Sequence, residues 1–309
     1  MIRIGIVRGG QQQTFASSIA HGARVFAHLD THEYERHDVL ITVDGEWHLD
    51  GIPLSPEVII QSLDVLYNAL HESDPQNEVI DALIYEYDVR VVNTAHRLSH
   101  DYETVHVHTT EDGLFVPSLH TYTYTPLSKS AQALHAYAEE VAFDVFKKVP
   151  PPWYVLGAST LRYESGVSAK SFHELVSAIK NVFSTHDHVY IANDQGGRDV
   201  FVFVARHFRN TPLYAFLPIE RVVTPEGDRY VLMRDKEHGE KIMTHAKKMH
   251  EEMHMGTHGL YHYAINKKGL FCIDVIYRPV FQKGGVLEKS LEEHVISTTD
   301  FLSIFLGIE

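Results

Sequence analysis

Cysteine is nearly absent from this 309-residue chain, which contains only Cys272. One cysteine excludes an internal disulfide framework and fits a reducing compartment. Long apolar runs are absent too. No stretch is long enough to cross a bilayer, and Met1-Ile2-Arg3 leads directly into a strand-like segment without the pattern of a signal peptide. The sequence therefore predicts a cytoplasmic protein without a membrane partner.

Positive charge is scarce as well. The chain has 27 lysines and arginines against 41 aspartates and glutamates, which gives a formal net charge of −14. This balance argues against non-specific binding to nucleic acid or to an acidic membrane surface. With 44% hydrophobic residues the chain can bury a substantial core, and its length predicts two or three compact units.

Histidine is abundant, with 23 residues, and one run is periodic at four-residue spacing: His250, His254, His258 and His262. The first two belong to a His-Glu-x-x-His pattern, in which zinc hydrolases use two histidines one helical turn apart as ligands. The pattern is short, and an amphipathic helix with Ile242, Ala246, Met249 and Met253 inward also explains it. We therefore expect solvated histidines on an exposed face. Metal binding by His250 and His254 is the remote alternative.

The first 93 residues alternate between strand and helix patterns. Ile2–Val7 and Asp64–Leu70 are apolar, strand-like runs, and the first of them ends at Gly9-Gly10. Thr14–Leu29 has apolar residues at helical spacing. This alternation predicts a parallel sheet covered by helices.

The rest of the chain mixes strands and longer helices. Helices are predicted at Ser128–Lys148, at Ser171–Phe183, with Ser171 as N-cap, and from about Glu237 to Met255. Two final strands, Leu260–Ile265 and Leu270–Tyr277, flank a turn. Cys272 lies in the second of these, where a buried cysteine is chemically inert.

Several short motifs occur in the order and spacing of the D-alanine–D-alanine ligases of the ATP-grasp superfamily. They are Gly9-Gly10, Asp64–His71, Ser165-Gly166-Val167, Gly197-Arg198-Asp199, Leu217–Glu220 and Gly269–Val275. The chain resembles this family over essentially its full length. The resemblance implies an α/β, three-domain ATP-grasp architecture, with an N-terminal domain over 1–93, a central domain over 94–187 and a C-terminal domain over 188–309. It also implies ATP and magnesium as cofactors, and a homodimer.

The positions that hold substrate and phosphate in the family carry other residues here. Thr14 stands where an acidic residue binds the ammonium group of the first D-alanine, and a hydroxyl cannot form that ion pair. Tyr102 and Gly157 stand where two lysines bind the phosphates, so neither supplies positive charge.

The phosphate loop and the adenine side of the site also differ from the family pattern. The loop corresponds to Leu161–Gly166, where bulky side chains and a glutamate disfavour phosphate; Arg162 is its one cation. Asn193 stands among the adenine-side acidic positions. The family's mobile loop is expected to be shortened to Thr224–Arg234.

The positions of the metal ligands differ most from the family pattern. Magnesium in this family takes oxygen ligands from the last two strands, and an arginine on the first of them stabilises the developing charge. Here His262 replaces that arginine, Ala264 and Ile276 replace two ligands, and only Asp274 is retained.

The missing ligands favour a catalytically degenerate protein that acts as a binding or interaction module, with a small-molecule or protein partner that the sequence does not identify. The alternative is an active ATP-dependent carboxylate–amine ligase with an altered site. A third hypothesis is a different ligand in a cleft lined by Arg162, Arg198, Asp274 and Arg278.

Overall fold

The computed structural model describes most of the chain: residues 1–12, 14–71, 74–93, 114–115, 119–124, 130–157, 166–186, 188–193, 196–276 and 278–306. The helices are α1 Phe15–His28, α2 Pro56–Gln61, α3 Gln76–Tyr87, α4 Ala131–Lys148, α5 Phe172–Thr185, α6 Lys236–Glu252, α7 Val286–Glu293 and α8 Thr298–Phe305. The strands are β1 Ile2–Gly9, β2 Tyr34–Ile41, β3 Trp47–Leu49, β4 Ile52–Pro53, β5 Val65–Asn68, β6 Arg90–Val92, β7 Leu114–Phe115, β8 Leu119–Thr123, β9 Trp153–Gly157, β10 Val167–Ala169, β11 His188–Asn193, β12 Arg198–Phe208, β13 Thr211–Ala215, β14 Ile219–Thr224, β15 Gly227–Leu232, β16 His258–Asn266 and β17 Gly269–Ile276.

These elements form two compact units. The first comprises 1–98, 201–261 and 276–309, and the second comprises 99–200 and 262–275. Three of the four limits between the units fall within strands β12, β16 and β17. The expected three domains, with limits near 93 and 187, stay a prediction.

A six-stranded sheet of the first unit confirms the predicted parallel arrangement for β2, β1, β5 and β6, whereas β3 and β4 pair antiparallel. Its order is β4-β3-β2-β1-β5-β6, and β1 pairs in parallel with both β2 and β5. The strand ends at Gly9 and Gly10, which have φ of +100° and +85°. A Cβ at Gly9 would lie 2.1 Å from the carbonyl oxygen of Ile41, so both the conformation and the space require glycine there.

An aromatic core occupies the rest of the first unit. The Phe203 ring lies edge-on to Phe216 and to Phe301, with ring centroids 5.2 and 5.6 Å away. Leu287 and Leu302 of the last two helices are buried in the same cluster as Val25 of α1. Burying large rings of this kind supplies much of the stability of a core.

A four-stranded sheet with the order β10-β9-β11-β8 belongs to the second unit, where α4 and α5 supply much of its core. The predicted N-cap of α5 is confirmed, since the Ser171 hydroxyl accepts a hydrogen bond from the Glu174 backbone N–H. The structure adds that the Glu174 carboxylate accepts from the backbone N–H of Lys170 at 2.7 Å. These two contacts fix where the helix begins.

A seven-stranded sheet has the order β15-β14-β12-β16-β17-β7, with β13 paired to β12. It corrects the prediction of a loop at Thr224–Arg234, because β14 and β15 form an antiparallel hairpin in which Arg221 pairs with Tyr230. Val222, Val223, Tyr230 and Val231 are residue types that favour strands, and this signal was missed. Within the described residues, no helix is long and apolar enough to cross a membrane.

Candidate functional site

Thr14, at the position of the family's acidic residue, lies at the start of α1 in the first unit. Its backbone N–H donates to the Gln11 carbonyl oxygen at 3.1 Å, and its own carbonyl accepts from Ser18 at 2.9 Å. The hydroxyl oxygen is buried and has no hydrogen-bond partner among the described residues. Thr14 therefore has a neutral hydroxyl in place of a carboxylate, and this hydroxyl is closed to solvent.

His262, which replaces the family's arginine, lies on β16 in the second unit and is almost fully buried. Its Nε2 donates a hydrogen bond to the Asp199 carboxylate at 3.1 Å. The nearby chain is held close, because a Cβ at Gly197 would lie only 2.3 Å from the Ile265 carbonyl oxygen. The pairing of His262 with Asp199 was not predicted, because the two residues are 63 positions apart in sequence.

The retained carboxylate is Asp274 on β17 of the second unit. Its Oδ1 accepts a hydrogen bond from the Val275 backbone N–H at 2.8 Å. Ala264 is buried and offers no oxygen ligand from its side chain, and Ile276, in the first unit, packs against that unit's aromatic core. In the described part of the chain, no three His, Cys, Asp or Glu side chains are grouped so that they could hold a metal ion. The residues present do not fit the magnesium set of the family.

Gly157, at one lysine position, ends β9 opposite Val189 of β11. A Cβ at this glycine would lie 2.9 Å from the Cε1 atom of the His186 ring. The His186 imidazole thus lies where the first atoms of a lysine side chain would project.

Gly166, at the end of the expected phosphate loop, packs against an aromatic ring. Its backbone N–H donates to the Tyr154 hydroxyl oxygen at 3.2 Å, and a Cβ would lie 2.2 Å from the Tyr154 ring. In a phosphate-binding loop, backbone N–H groups of this kind point at the anion. Here the group is directed at a tyrosine instead.

Asn193, on the adenine side, is tied to the chain before β9. Its side-chain amide donates to the carbonyl oxygens of Pro150 and Pro152, at 2.6 and 3.1 Å. Tyr102 and Arg162 lie outside the described residues. Of the arginines expected to line a cleft, Arg198 is exposed, and Arg278 is buried in the first unit, where it donates to the Asn77 side-chain oxygen.

The histidine run does not form an exposed face, so that prediction was wrong. Helix α6 ends at Glu252, and His254 has φ of +49° outside the helix. His250 and His258 are buried in the first unit. The two histidines of the zinc-like pattern therefore do not lie on one helical face.

Burial makes the His250 imidazole a neutral hydrogen-bonding group. Its Nδ1 accepts from the Tyr261 hydroxyl at 3.0 Å, and its Nε2 lies 3.2 Å from the Gly256 carbonyl oxygen. Desolvation lowers the pKa of His250 to about 4. Burial likewise lowers the pKa of His258 to about 3, and it raises the pKa of the Cys272 thiol, which is buried on β17 as predicted, to about 12.

A series of hydrogen-bonded, buried amides in the first unit was not predicted from the sequence. The His258 Nε2 donates to the Asn93 side-chain oxygen at 3.1 Å, and Asn93 donates to the Asn68 carbonyl at 2.8 Å. The Asn68 amide donates in turn to Asn77 at 3.0 Å. Asn68 and Asn93 directly follow or end apolar strands, which is the one sequence signal that marks them.

Solved structures with a similar fold include D-alanine–D-alanine and D-Ala:D-Ser ligases. The D-alanine–D-alanine ligase of Bacillus anthracis, complexed with ATP, has a TM-score of 0.74 at 15% identity, covering 99% of this chain and 96% of that chain. The VanG D-Ala:D-Ser ligase of Enterococcus faecalis gives 0.77 at 15% identity, with 99% and 98% covered. D-alanyl-alanine synthetase A of Vibrio cholerae gives 0.74 at 13%, with 99% and 97% covered.

No protein-family model and no curated protein sequence matches the chain. The structural likeness confirms the α/β ATP-grasp fold that the motif order predicted. At this identity it shows the fold alone, and function depends on the residues of the site.

Proposed function

We propose that this protein is a catalytically degenerate member of the ATP-grasp fold that serves as a binding or interaction protein. The observation that carries the proposal is the set of residues at the three metal-ligand positions. Of the three oxygen ligands that the family places on its last two strands, Asp274 is present, whereas Ala264 and Ile276 have hydrocarbon side chains. One carboxylate is too few to hold magnesium ions bridging a triphosphate.

The phosphate positions support the same proposal. Gly157 has no charge, and the His186 ring takes up the adjacent space. The Gly166 N–H is engaged by Tyr154, and the Asn193 amide is engaged by two carbonyl oxygens. Groups already satisfied within the protein must give up those hydrogen bonds to bind a phosphate or an adenine ring.

An active ligase with an altered site is the second candidate. Its support is the match over nearly the full length of the ATP-bound Bacillus anthracis structure, together with the retained Asp274. The two candidates differ in one measurable property, the release of ADP from Mg-ATP in the presence of D-alanine.

A coupled assay for ADP release, with D-alanine as the amino and carboxyl substrate, tests the proposal. We expect no release above the reaction without protein. The control is Asp274→Asn, which removes the one remaining carboxylate. Release that depends on D-alanine and is lost in Asp274→Asn would refute the proposal, whereas release unchanged in that variant comes from a contaminating enzyme.

A further inference from the structure

The outer side of helix α3 combines apolar and acidic residues. Its inner side packs into the core beside the six-stranded sheet through Ile80 and Leu83. The exposed residues recur at intervals of three or four positions, which places them on one face of the helix. This outer face of α3 consists of Glu78, Val79, Ala82, Tyr85 and Glu86.

Two apolar side chains of this surface project into solvent. Tyr85 is 94% exposed, and Val58 of α2, a helix that contacts α3, is 53% exposed. Exposed tyrosines are among the residues that contribute most to binding between proteins. Ala82 lies at the centre of the outer face, and a small residue there lets a second helix approach closely.

Carboxylates of the two helices come together near Tyr87. Its hydroxyl donates a hydrogen bond to Glu86 of α3, which raises the pKa of the tyrosine, and the charge of Glu57 of α2 acts in the same direction. Hydrogen bonds from its own backbone N–H and from Ser55 lower the pKa of Glu57, so this group is ionised at neutral pH. A cation placed between the two carboxylates would relieve their repulsion.

The surroundings of these carboxylates are also acidic. No lysine or arginine occurs in α2 or α3, and residues 1–98 contain 15 aspartates and glutamates, six arginines and no lysine. Two of these arginines, Arg3 and Arg8, form ion pairs with carboxylates of the same segment. Such a surface attracts a basic partner and repels an acidic one.

We propose that the outer face of α3, with the adjoining side of α2, binds a basic amphipathic helix of another protein. The apolar side of that helix packs on Val58, Val79 and Tyr85, and one of its lysines or arginines lies between Glu57 and Glu86. The same face of a second copy does not fit, because it would bring carboxylates against carboxylates. The inference names a partner class for the interaction role proposed above, and it rests on that role.

Fluorescence anisotropy with two labelled peptides tests this inference. The first is an amphipathic helix of about 14 leucines and lysines, and the second has glutamate at every lysine position. We expect saturable binding of the leucine–lysine peptide, and no binding of the leucine–glutamate peptide. Raising the salt concentration from about 50 mM to about 500 mM is expected to weaken the binding at least about ten-fold, because the charges are exposed.

A pair of charge-removing variants locates the binding surface. Glu57→Gln/Glu86→Gln keeps side chains that form hydrogen bonds but removes both charges, and we expect binding of the leucine–lysine peptide to weaken about ten-fold. The matched control is Glu251→Gln/Glu252→Gln, which makes the same change in net charge at two exposed glutamates at the end of α6. We expect this control to bind like the parent protein, and circular dichroism checks that every variant is folded.

The apolar part of the surface is tested by Tyr85→Ser. The side chain is almost fully exposed, so its loss leaves the core intact, and we expect binding to weaken by about three-fold or more. Phe143→Ser removes another exposed aromatic ring, on α4, and we expect it to have no effect on binding.

Three results would overturn the inference. They are no binding of the leucine–lysine peptide, equal binding of the two peptides, and equal weakening by the two double variants. The last result would mean that the peptide is attracted to the acidic chain as a whole and not to α2 and α3. None of these measurements involves a nucleotide, so any of the three results would leave the outcome of the ADP-release assay unchanged.

Discussion

His262 illustrates how one substitution changes what a site can do. A guanidinium carries a permanent charge and five donors in a plane, whereas an imidazole carries at most two donors. Here the Nε2 of this ring donates to Asp199, and the side chain is buried. The residue has therefore become part of the packing around β12 and β16, in keeping with the proposed loss of ligase chemistry.

The buried His250 predicts how stability depends on pH. The pKa of the folded protein's imidazole is lowered to about 4, below the value of about 6.5 for an unfolded chain. Between these values the unfolded state binds the extra proton, so the free energy of unfolding falls as the pH is lowered from about 6.5 to about 4. His250→Gln replaces the imidazole with an amide, which can still form hydrogen bonds but does not titrate. We expect its free energy of unfolding to depend less on pH in this window, by roughly 1 kcal/mol per pH unit.

Urea denaturation at several pH values measures this difference. The control is His173→Gln, because His173 is exposed on α5, and we expect its pH dependence to match that of the parent protein. If the free energy of unfolding changes equally steeply with pH in His250→Gln and in the parent protein, the assignment of a buried, neutral imidazole is contradicted.

Gly166 gives a second prediction at this scale. A Cβ there would lie 2.2 Å from the Tyr154 ring, so Gly166→Ala must displace an aromatic side chain and is expected to cost about 1–3 kcal/mol of stability. The control is Gly239→Ala in α6, where the nearest atom to a new Cβ is 3.6 Å away and alanine favours the helix. Chemical denaturation should show opposite signs for the two variants. A neutral Gly166→Ala would mean that the glycine is not packed against Tyr154.

At the scale of elements, most helices and strands could be predicted from their patterns. The N-cap Ser171 and the twin glycines after β1 are local signals, because capping and positive φ depend on neighbouring residues alone. The burial of His250 could not be predicted, since it depends on Tyr261 and Gly256, which contact it only in the folded chain. The contacts of His186 with Gly157 and of Tyr154 with Gly166 could not be predicted for the same reason.

The hairpin of β14 and β15 gives a prediction for hydrogen exchange. Its backbone groups are paired in an antiparallel ladder from Ile219–Leu232 to Thr224–Gly227, which opposes a role as an open loop that closes over substrate. We expect the backbone amides of β14 that are hydrogen-bonded to β15 to exchange more slowly than the amide of Glu226 in the turn. We expect no change in these rates when Mg-ATP is added. Rapid exchange along the strand that slows with Mg-ATP would restore the interpretation as a mobile loop.

At the scale of the whole molecule, the fold resembles the ligases more closely than the residues at the site positions do. The fold matches ligases over 99% of the chain, although only 13–15% of residues are identical. A fold can persist at this level because its core needs only apolar residues of suitable volume at the right period. A triphosphate site needs particular charges at particular positions, and substitution of a few of them removes it.

Isothermal titration of the protein with Mg-ATP tests the central claim most directly. The Bacillus anthracis ligase serves as the positive control for nucleotide binding, and Asp274→Asn as the control for the one retained carboxylate. We expect the ligase to release binding heat, and this protein to release none beyond dilution, with the variant indistinguishable from it. Saturable binding in the micromolar range that is weakened in Asp274→Asn would contradict the proposed loss of the Mg-ATP site.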